Sequence, residues 1–504
     1  MDRTRKTGVL LHITSLPSEY GIGDLGENAL SFAEELGRHS IGLWQLLPLG
    51  PTGFGDSPYS ARSAFAGNEL LISPKELYKD GWLKLEDVLR QVPSTSRVDY
   101  GGARELKLPM LRKAADKLLS SSGEAKRAYK SFRGENSWWL EDYALFQALC
   151  DKYNDSRWFL AWPEALRDRE EHAMAEARAR LEHEVSVYCA LQYFFHVQYQ
   201  KLKDYANGLG VKLIGDIPIF VAYDSADAWS HRDLLMLTPE GKQEGMAGVP
   251  PDLFSATGQL WGNPTYRWDK HRETGFAWWI ERFKENFKLY DIVRVDHFRG
   301  FEACWEVPAG SETAETGEWV KSPGQEIFDA LRKVIGEDLP VIAEDLGIIT
   351  PEVEALRLSN GFPGMKILQF AFGLDDDGGW ITDNAYLPQS STELSVFYTG
   401  THDNNTLRGW YEELDDKLKD YIRRYFECAD TDIVRSCERA LMMTNAIWVI
   451  FPMQDILNLG AEARMNVPAT CGSSNWSWRM LPEDIHTTAW EGIGYYTKLY
   501  GRCE

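Results

Sequence analysis

Eight apolar runs of strand length, set between helical or irregular stretches, constrain this chain more than any other feature. They are GVLLHITSL (8–16), GLWQLLPLG (42–50), KLIGDIPIFV (212–221), DIVRVDHF (291–298), PVIAEDLG (340–347), MKILQF (365–370), SVFYTGTHD (395–403) and AIWVIFPMQ (446–454). Runs rich in Val, Ile, Leu and aromatics read as buried strands. Several are separated by amphipathic helical patterns such as ENALSFAEELGRH, GQEIFDALRKVIG and DKLKDYIRRYFECA. That alternation is expected of parallel strands with crossover helices, and eight strands close a barrel. The expected fold is therefore α/β, a (β/α)8 TIM barrel over residues 1–504.

A chain of 504 residues exceeds an unadorned barrel. The gap 51–211 is too long for one crossover and predicts an inserted subdomain, mostly helical from its Ala, Leu, Glu and Arg content. The stretch 222–290 predicts a loop-rich insertion over the barrel mouth, because it carries Gly, Pro and aromatics in GMAGVPPDLFSATGQLWGNPTYRW.

Composition excludes some functions. A net charge of -22 disfavours nucleic acid and anionic membranes, which need clustered Lys and Arg. The sequence has no run of eighteen apolar residues and no readable signal peptide. Its seven cysteines are scattered, with no C-x-x-C pair, which predicts reduced thiols in a cytoplasmic protein. No metal or cofactor motif is required: the ten histidines form no H-E-x-x-H, and neither a P-loop nor a G-x-S-x-G elbow occurs. GIGDLG (21–26) mimics a dinucleotide fingerprint, but four residues separate it from the preceding strand and the next strand lacks a ribose-binding acid. A sugar-contacting mouth loop fits it better. DDDGG (375–379) lacks the glycine and ligand placement of a calcium loop and reads as a turn.

Carboxylates stand at the ends of four runs: Asp216, Asp296, Glu344 with Asp345, and Asp403. Any one of them has an ordinary structural reading as a cap or turn residue. Together at one barrel mouth they suit glycosidic-bond chemistry, which needs one protonated and one ionised carboxyl. Strand alternation places Arg294 on the face of Asp296, where a guanidinium would keep a nucleophile ionised, although a purely structural ion pair is also possible. Glu344 follows the apolar PVIA, an environment that favours a protonated acid. Asp403, beside His402, has the position to bind sugar hydroxyls, or to close an Asx turn. Most aromatics belong to the core, but Phe54 and Tyr59 sit among Gly, Ser and Asp, and Phe254, Trp261 and Tyr266 fall in the mouth segment. Such rings pack against pyranose faces.

The segments LHITSLPSEYGIGDLG, GDSPYS, GDIPIFV, GVPPDLFSATGQLWGNPTYRW, RVDHFRG, AEDLG, GTHDNNT, RMNVPAT and NWSWR resemble those of the amylomaltase-type 4-α-glucanotransferases, glycoside hydrolase family 77. The resemblance implies a barrel without a C-terminal β-sandwich and an α-1,4-glucan donor with a sugar acceptor. It implies Asp296 as nucleophile, Glu344 as acid/base and Asp403 as transition-state stabiliser. It places Arg294, His402 and Asp216 around the cleaved bond, and Tyr59, Asp252, Trp261, Asn263 and Asn466 along the glucan groove. Phe54 departs from the hydroxyl-bearing aromatic of many relatives. An α-glucan hydrolase of the same retaining mechanism and a non-catalytic glucan-binding barrel are the alternatives.

Overall fold

The computed structural model describes residues 3–251 and 255–503. In chain order its strands are β1 (Lys6–Leu10), β2 (Leu43–Gln45), β3 (Lys212–Pro218), β4 (Gly245–Val249), β5 (Gln259–Pro264), β6 (Ile292–Asp296), β7 (Ala303–Pro308), β8 (Glu318–Lys321), β9 (Val341–Ala343), β10 (Gly364–Ile367), β11 (Ser395–Tyr398) and β12 (Trp448–Pro452). Eight of them close a parallel barrel in the order β1-β12-β11-β10-β9-β6-β3-β2. Each falls in or overlaps one of the eight apolar runs. Val293, Val295, Val341, Ile342, Val396 and Ile450 are wholly buried, as expected where a parallel sheet is covered on both faces.

The strands are shorter than the runs. β1 stops at Leu10 and the tail of its run turns into a 3-10 helix, Ile13–Ser15, whose three residues are all buried. Apolarity persists past the strand because the loops at the mouth are themselves packed. After β2 the chain is predominantly helical, with Tyr100–Ser120, Ser137–Tyr153 and Glu182–Gly208 as its longest helices. Glu182–Gly208 packs on the other two and also reaches β3, so the helical insertion is bound to the barrel wall.

Segment 222–290 is more regular than its composition suggests. It contains the helix Ala277–Leu289 and supplies β4 and β5 to a four-stranded antiparallel sheet, β5-β4-β7-β8. The Gly- and Pro-rich stretches GMAGV and QLWGNP carry no strand pattern of their own. They become strands because β7, from the connection after β6, gives them an edge to pair with. Beyond β12 the described chain has helices and turns, with Ala489–Leu499 against Ile433–Met443.

Packing is close just beneath the mouth. A Cβ on Gly215 of β3 would lie 2.0 Å from the Tyr290 ring, which is buried against the strand. Gly215→Ala must therefore displace the ring or the strand immediately before Asp216. It is expected to cost about 1–3 kcal/mol, as core overpacking does. Denaturant unfolding checks this, and an unchanged midpoint would contradict the packing described.

Candidate active site

The site begins with a register. In the parallel pairing of β3 with β6, Asp216 lies opposite Arg294 and Pro218 opposite Asp296. Arg294 and Asp296 are two residues apart on β6 and share one face. The Arg294 guanidinium, 5% exposed, spans both carboxylates, with Nη1 donating to Asp216 Oδ2 at 2.6 Å and Nη2 standing 3.0 Å from Asp296 Oδ1. Its Nε meets the thioether of Met365 on β10 at 3.4 Å. A buried guanidinium needs such partners, because desolvation of an unpaired charge costs several kcal/mol or more. Its planar fork can orient two acids together, which a lysine ammonium cannot.

Asp216 takes a second hydrogen bond, 2.6 Å long, from the hydroxyl of Tyr59. Burial pushes the Asp216 carboxyl upward, against the opposing pull of Arg294. The Tyr59 ring stacks on His402 at 5.1 Å and 18°. Trp476 completes the group, 5.7 Å from Tyr59 and 5.8 Å from His402. Tyr59 comes from the loop after β2, so this aromatic layer ties three distant segments together over the ion pair.

Glu344 directly follows β9, the other neighbour of β6. Its backbone extends that pairing, with its N–H on the Val295 carbonyl and its own carbonyl accepting from Phe298 N–H. Its side chain accepts from His297 N–H at 2.7 Å and Leu346 N–H at 2.9 Å. His297 has φ 51°, in the left-handed region that non-glycine residues seldom enter. The residue after Asp296 thus turns its amide onto the neighbouring carboxyl. Glu344 retains some accessible surface toward the mouth but is enclosed by protein elsewhere. That enclosure raises it to about 7, with Arg294 opposing and Asp296 reinforcing the rise.

The adjacent Asp345 points into structure. It accepts from Met365 N–H at 2.7 Å and pairs with Arg357 at 3.1 Å. Of the two acids in AEDLG, only Glu344 joins the cluster.

Asp403 lies in the loop after β11, with 46% of its side chain exposed. The turn there is closed by Asn404, whose side-chain carbonyl oxygen accepts from Thr401 N–H at 2.8 Å. This leaves the Asp403 carboxylate facing outward. Asn466 Nδ2 donates to its Oδ1 at 2.7 Å, and His402 Nε2 stands 3.5 Å from Oδ2. Arg464 braces both segments by donating to the backbone carbonyls of Asp403 and Asn466 at 2.6 and 2.7 Å. Burial pulls His402 below its ordinary value, with Asp403 opposing.

Trp261, 38% exposed on β5, meets the His297 ring edge-on at 4.8 Å. Asn263, also on β5, donates its amide to the Val221 carbonyl at 2.8 Å and so holds the second sheet to the end of the β3 segment. Asp252 and Phe254 lie outside the described residues. Tyr266 is a core residue, buried with its hydroxyl on the Ile219 carbonyl, whereas Phe54 is 76% exposed. GIGDLG differs from the expected sugar loop: all six residues are buried, and a Cβ on Gly23 would fall 2.0 Å from the Ile13 carbonyl oxygen. Its glycines serve close packing. DDDGG forms a turn in which Asp375 accepts from the Asp377 and Gly379 amides. Among the described residues no group of three or more His, Cys, Asp or Glu is arranged to hold a metal, and no helix is long and apolar enough to cross a membrane.

Three residues of this shell have no role in the sequence reading: Trp476, Arg464 and Met365. Trp476 lies within NWSWR and Arg464 stands at the head of RMNVPAT, so both are visible as motif residues. Met365 carries no signal.

The family described as 4-alpha-glucanotransferase, glycoside hydrolase family 77, matches residues 11–484. The 4-alpha-glucanotransferase of Synechocystis sp. is 46% identical over 504 residues, covering 99% of this chain and 98% of that protein. That of Thermus thermophilus is 47% identical over 496 residues, covering 96% of each. The solved amylomaltase from Streptococcus agalactiae, in complex with acarbose, has a TM-score of 0.94 at 39% identity, covering 99% of this chain and 100% of that one. With the family match spanning nearly the whole barrel and the relatives aligned end to end, the chain belongs to glycoside hydrolase family 77, the 4-alpha-glucanotransferases.

Proposed function

We propose that this 4-alpha-glucanotransferase moves α-1,4-glucan segments between maltooligosaccharides or starch-type glucans by a retaining double displacement centred on Asp296 and Glu344. The observation that carries this reading is the Arg294 fork, which binds Asp216 and Asp296 together while Glu344, on the adjacent strand end, is held up at about 7 by burial. Two carboxyls whose surroundings differ in this way suit opposite roles.

Asp296 attacks the anomeric carbon as Glu344 gives its proton to the leaving glycosidic oxygen. The covalent glucosyl–Asp296 ester is then attacked by an acceptor sugar hydroxyl, whose proton returns to Glu344. Two inversions restore the α linkage. Asp403, oriented by Asn466, accepts hydrogen bonds from sugar hydroxyls and offsets the positive charge that develops on the ring. Asp216 and Arg294 are positioning groups beneath the reacting centre. Tyr59, His402, Trp261 and the stretch around Asp252 and Asn263 form the glucan groove.

Transfer rather than hydrolysis requires that the ester outlast water and meet an acceptor. Segment 222–290, with exposed Trp261 edge-on to His297, supports a rim that limits water at the ester. We take 51–211 as a helical subdomain inserted in the same barrel. The seven unpaired cysteines, two of them exposed, support a reducing cytoplasmic setting.

Maltotriose as sole substrate is expected to yield glucose together with a ladder of longer glucans. Glucose and maltose alone would sink the transferase reading. Asp296→Ala is expected to lower turnover by roughly four orders of magnitude or more, as loss of a catalytic nucleophile does, while glucan binding persists. Retained turnover would remove Asp296 from the nucleophile role. Because the general acid must be protonated in the free enzyme, the alkaline limb of kcat/KM for maltotriose should fall above about pH 7 as Glu344 ionises. The observed midpoint belongs to the interacting set Glu344, Asp296 and Asp216. A profile level well into the alkaline range would contradict the assignment.

A further inference from the structure

The loop that carries His402 and Asp403 runs from Thr399, just past β11, to Leu407, the first residue of the helix Leu407–Glu413. Its two ends share one partner. Asp455, on the short helix Met453–Ile456 that follows β12, accepts from the Thr399 hydroxyl at 2.6 Å with Oδ2 and from the Leu407 N–H at 2.7 Å with Oδ1. Strands β11 and β12 are neighbours in the barrel, so this carboxylate reaches from the end of one strand to the connection that leaves the other.

Asp455 is 1% exposed, and Thr399 and Leu407 are wholly buried. Burial pushes the carboxyl up to about 6, and the Leu407 amide and Thr399 hydroxyl pull against the rise. The Leu407 amide opens a helix and has no acceptor within it. Both donors belong to the neighbouring connection, so Asp455 is not serving as a cap for its own helix.

The same short helix grips the other side of Asp403. Gln454 donates Nε2 to the Ala463 carbonyl at 3.3 Å, immediately before Arg464, whose guanidinium braces the Asp403 and Asn466 carbonyls. Helix Leu407–Glu413 packs on the turn Ala461–Ala463, where a Cβ on Gly409 would lie 2.8 Å from the Ala461 nitrogen. The two segments that meet in the Asp403–Asn466 hydrogen bond are therefore anchored to one element.

We infer that Asp455 is a positioning residue for Asp403, fixing the span of the 399–407 loop and with it the place of the Asp403 carboxylate. The inference rests on the part proposed for Asp403 in glucan transfer. Gln369 and Arg464 each hold one carbonyl inside the loop, at Asn405 and Asp403. Asp455 holds both ends with one planar group, so neither end shifts without breaking a bond to it. Asp403 itself, with 46% of its side chain exposed, draws little support from burial. A misplacement of about 1 Å at a reacting centre can cost roughly a hundredfold in rate.

The test is a double-mutant cycle on maltotriose transfer, with Asp455→Ala, Asp403→Ala and the pair. Asp455→Ala is expected to lower kcat about tenfold or more, to leave KM within about twofold, and to cause no further loss in the Asp403→Ala background. Native kcat in Asp455→Ala would overturn the proposal, as would equal losses in the two backgrounds, which a general structural defect produces. Asp455→Asn can still accept from Leu407 and can donate to the Thr399 oxygen, so it should recover roughly a third or more of native kcat. An asparagine variant as slow as the alanine variant would overturn the proposal. Should Asp455→Ala not fold, Thr399→Val, which exchanges the hydroxyl for a methyl, carries the same cycle with an expected loss of about threefold or more. Crystal structures of the native protein and the folded variant read the positioning without turnover: a displaced 399–407 loop with a lengthened Asp403–Asn466 contact supports it, and an unmoved loop overturns it. An Asp403→Ala protein with native turnover would sink the role given to Asp403, and the loop's displacement alone then judges Asp455.

Discussion

One buried guanidinium organises the mouth of this barrel. Arg294 is all but inaccessible, and its charge is tolerable only because Asp216 and Asp296 lie within 3.0 Å on either side. The dependence is mutual. Without Arg294, two carboxyl groups on adjacent strands would share a low-dielectric pocket with no cation between them. The β3–β6 register, which sets Asp216 opposite Arg294, is therefore as necessary to this charged cluster as the residues themselves. A slip of one residue would turn Arg294 out of the barrel. The Tyr59–His402–Trp476 layer and the Met365 thioether then complete the shell around a charge the fold has already fixed.

Much of this is legible in the sequence because it follows from short-range rules. Eight apolar runs point to the barrel, and alternation along IVRVD by itself puts Arg294 and Asp296 on one face. The apolar PVIA ahead of Glu344 indicates the enclosure that raises its carboxyl. Family resemblance contributes Asp403 and Asn466, and the two are joined by a direct hydrogen bond that no local pattern could indicate, since 63 positions separate them.

What stays illegible depends on partners far along the chain. β4 and β5 look like loop because their pairing energy comes from β7, and nothing local links Asn263 to the Val221 carbonyl. GIGDLG looks like a surface loop; its glycines are instead demanded by backbone approaching backbone, a constraint that composition alone cannot distinguish from ligand contact. Asp345 and Glu344 are neighbours with opposite fates, decided by whether Met365 and Arg357 or the barrel mouth lies in front of each.

The contrast between the floor of the site and its edge has a consequence for how such a protein can diverge. The floor consists of strand-end residues whose positions are locked by ladder hydrogen bonds and by one shared charge, so almost any change there is felt by the whole cluster. The edge is different. Asp403 is held from the side by Asn466 and Arg464, and Trp261 rides on a separate antiparallel sheet, so each is held in place by residues other than Arg294. Selection can thus redraw the edge on descendants that all inherit the same charged floor.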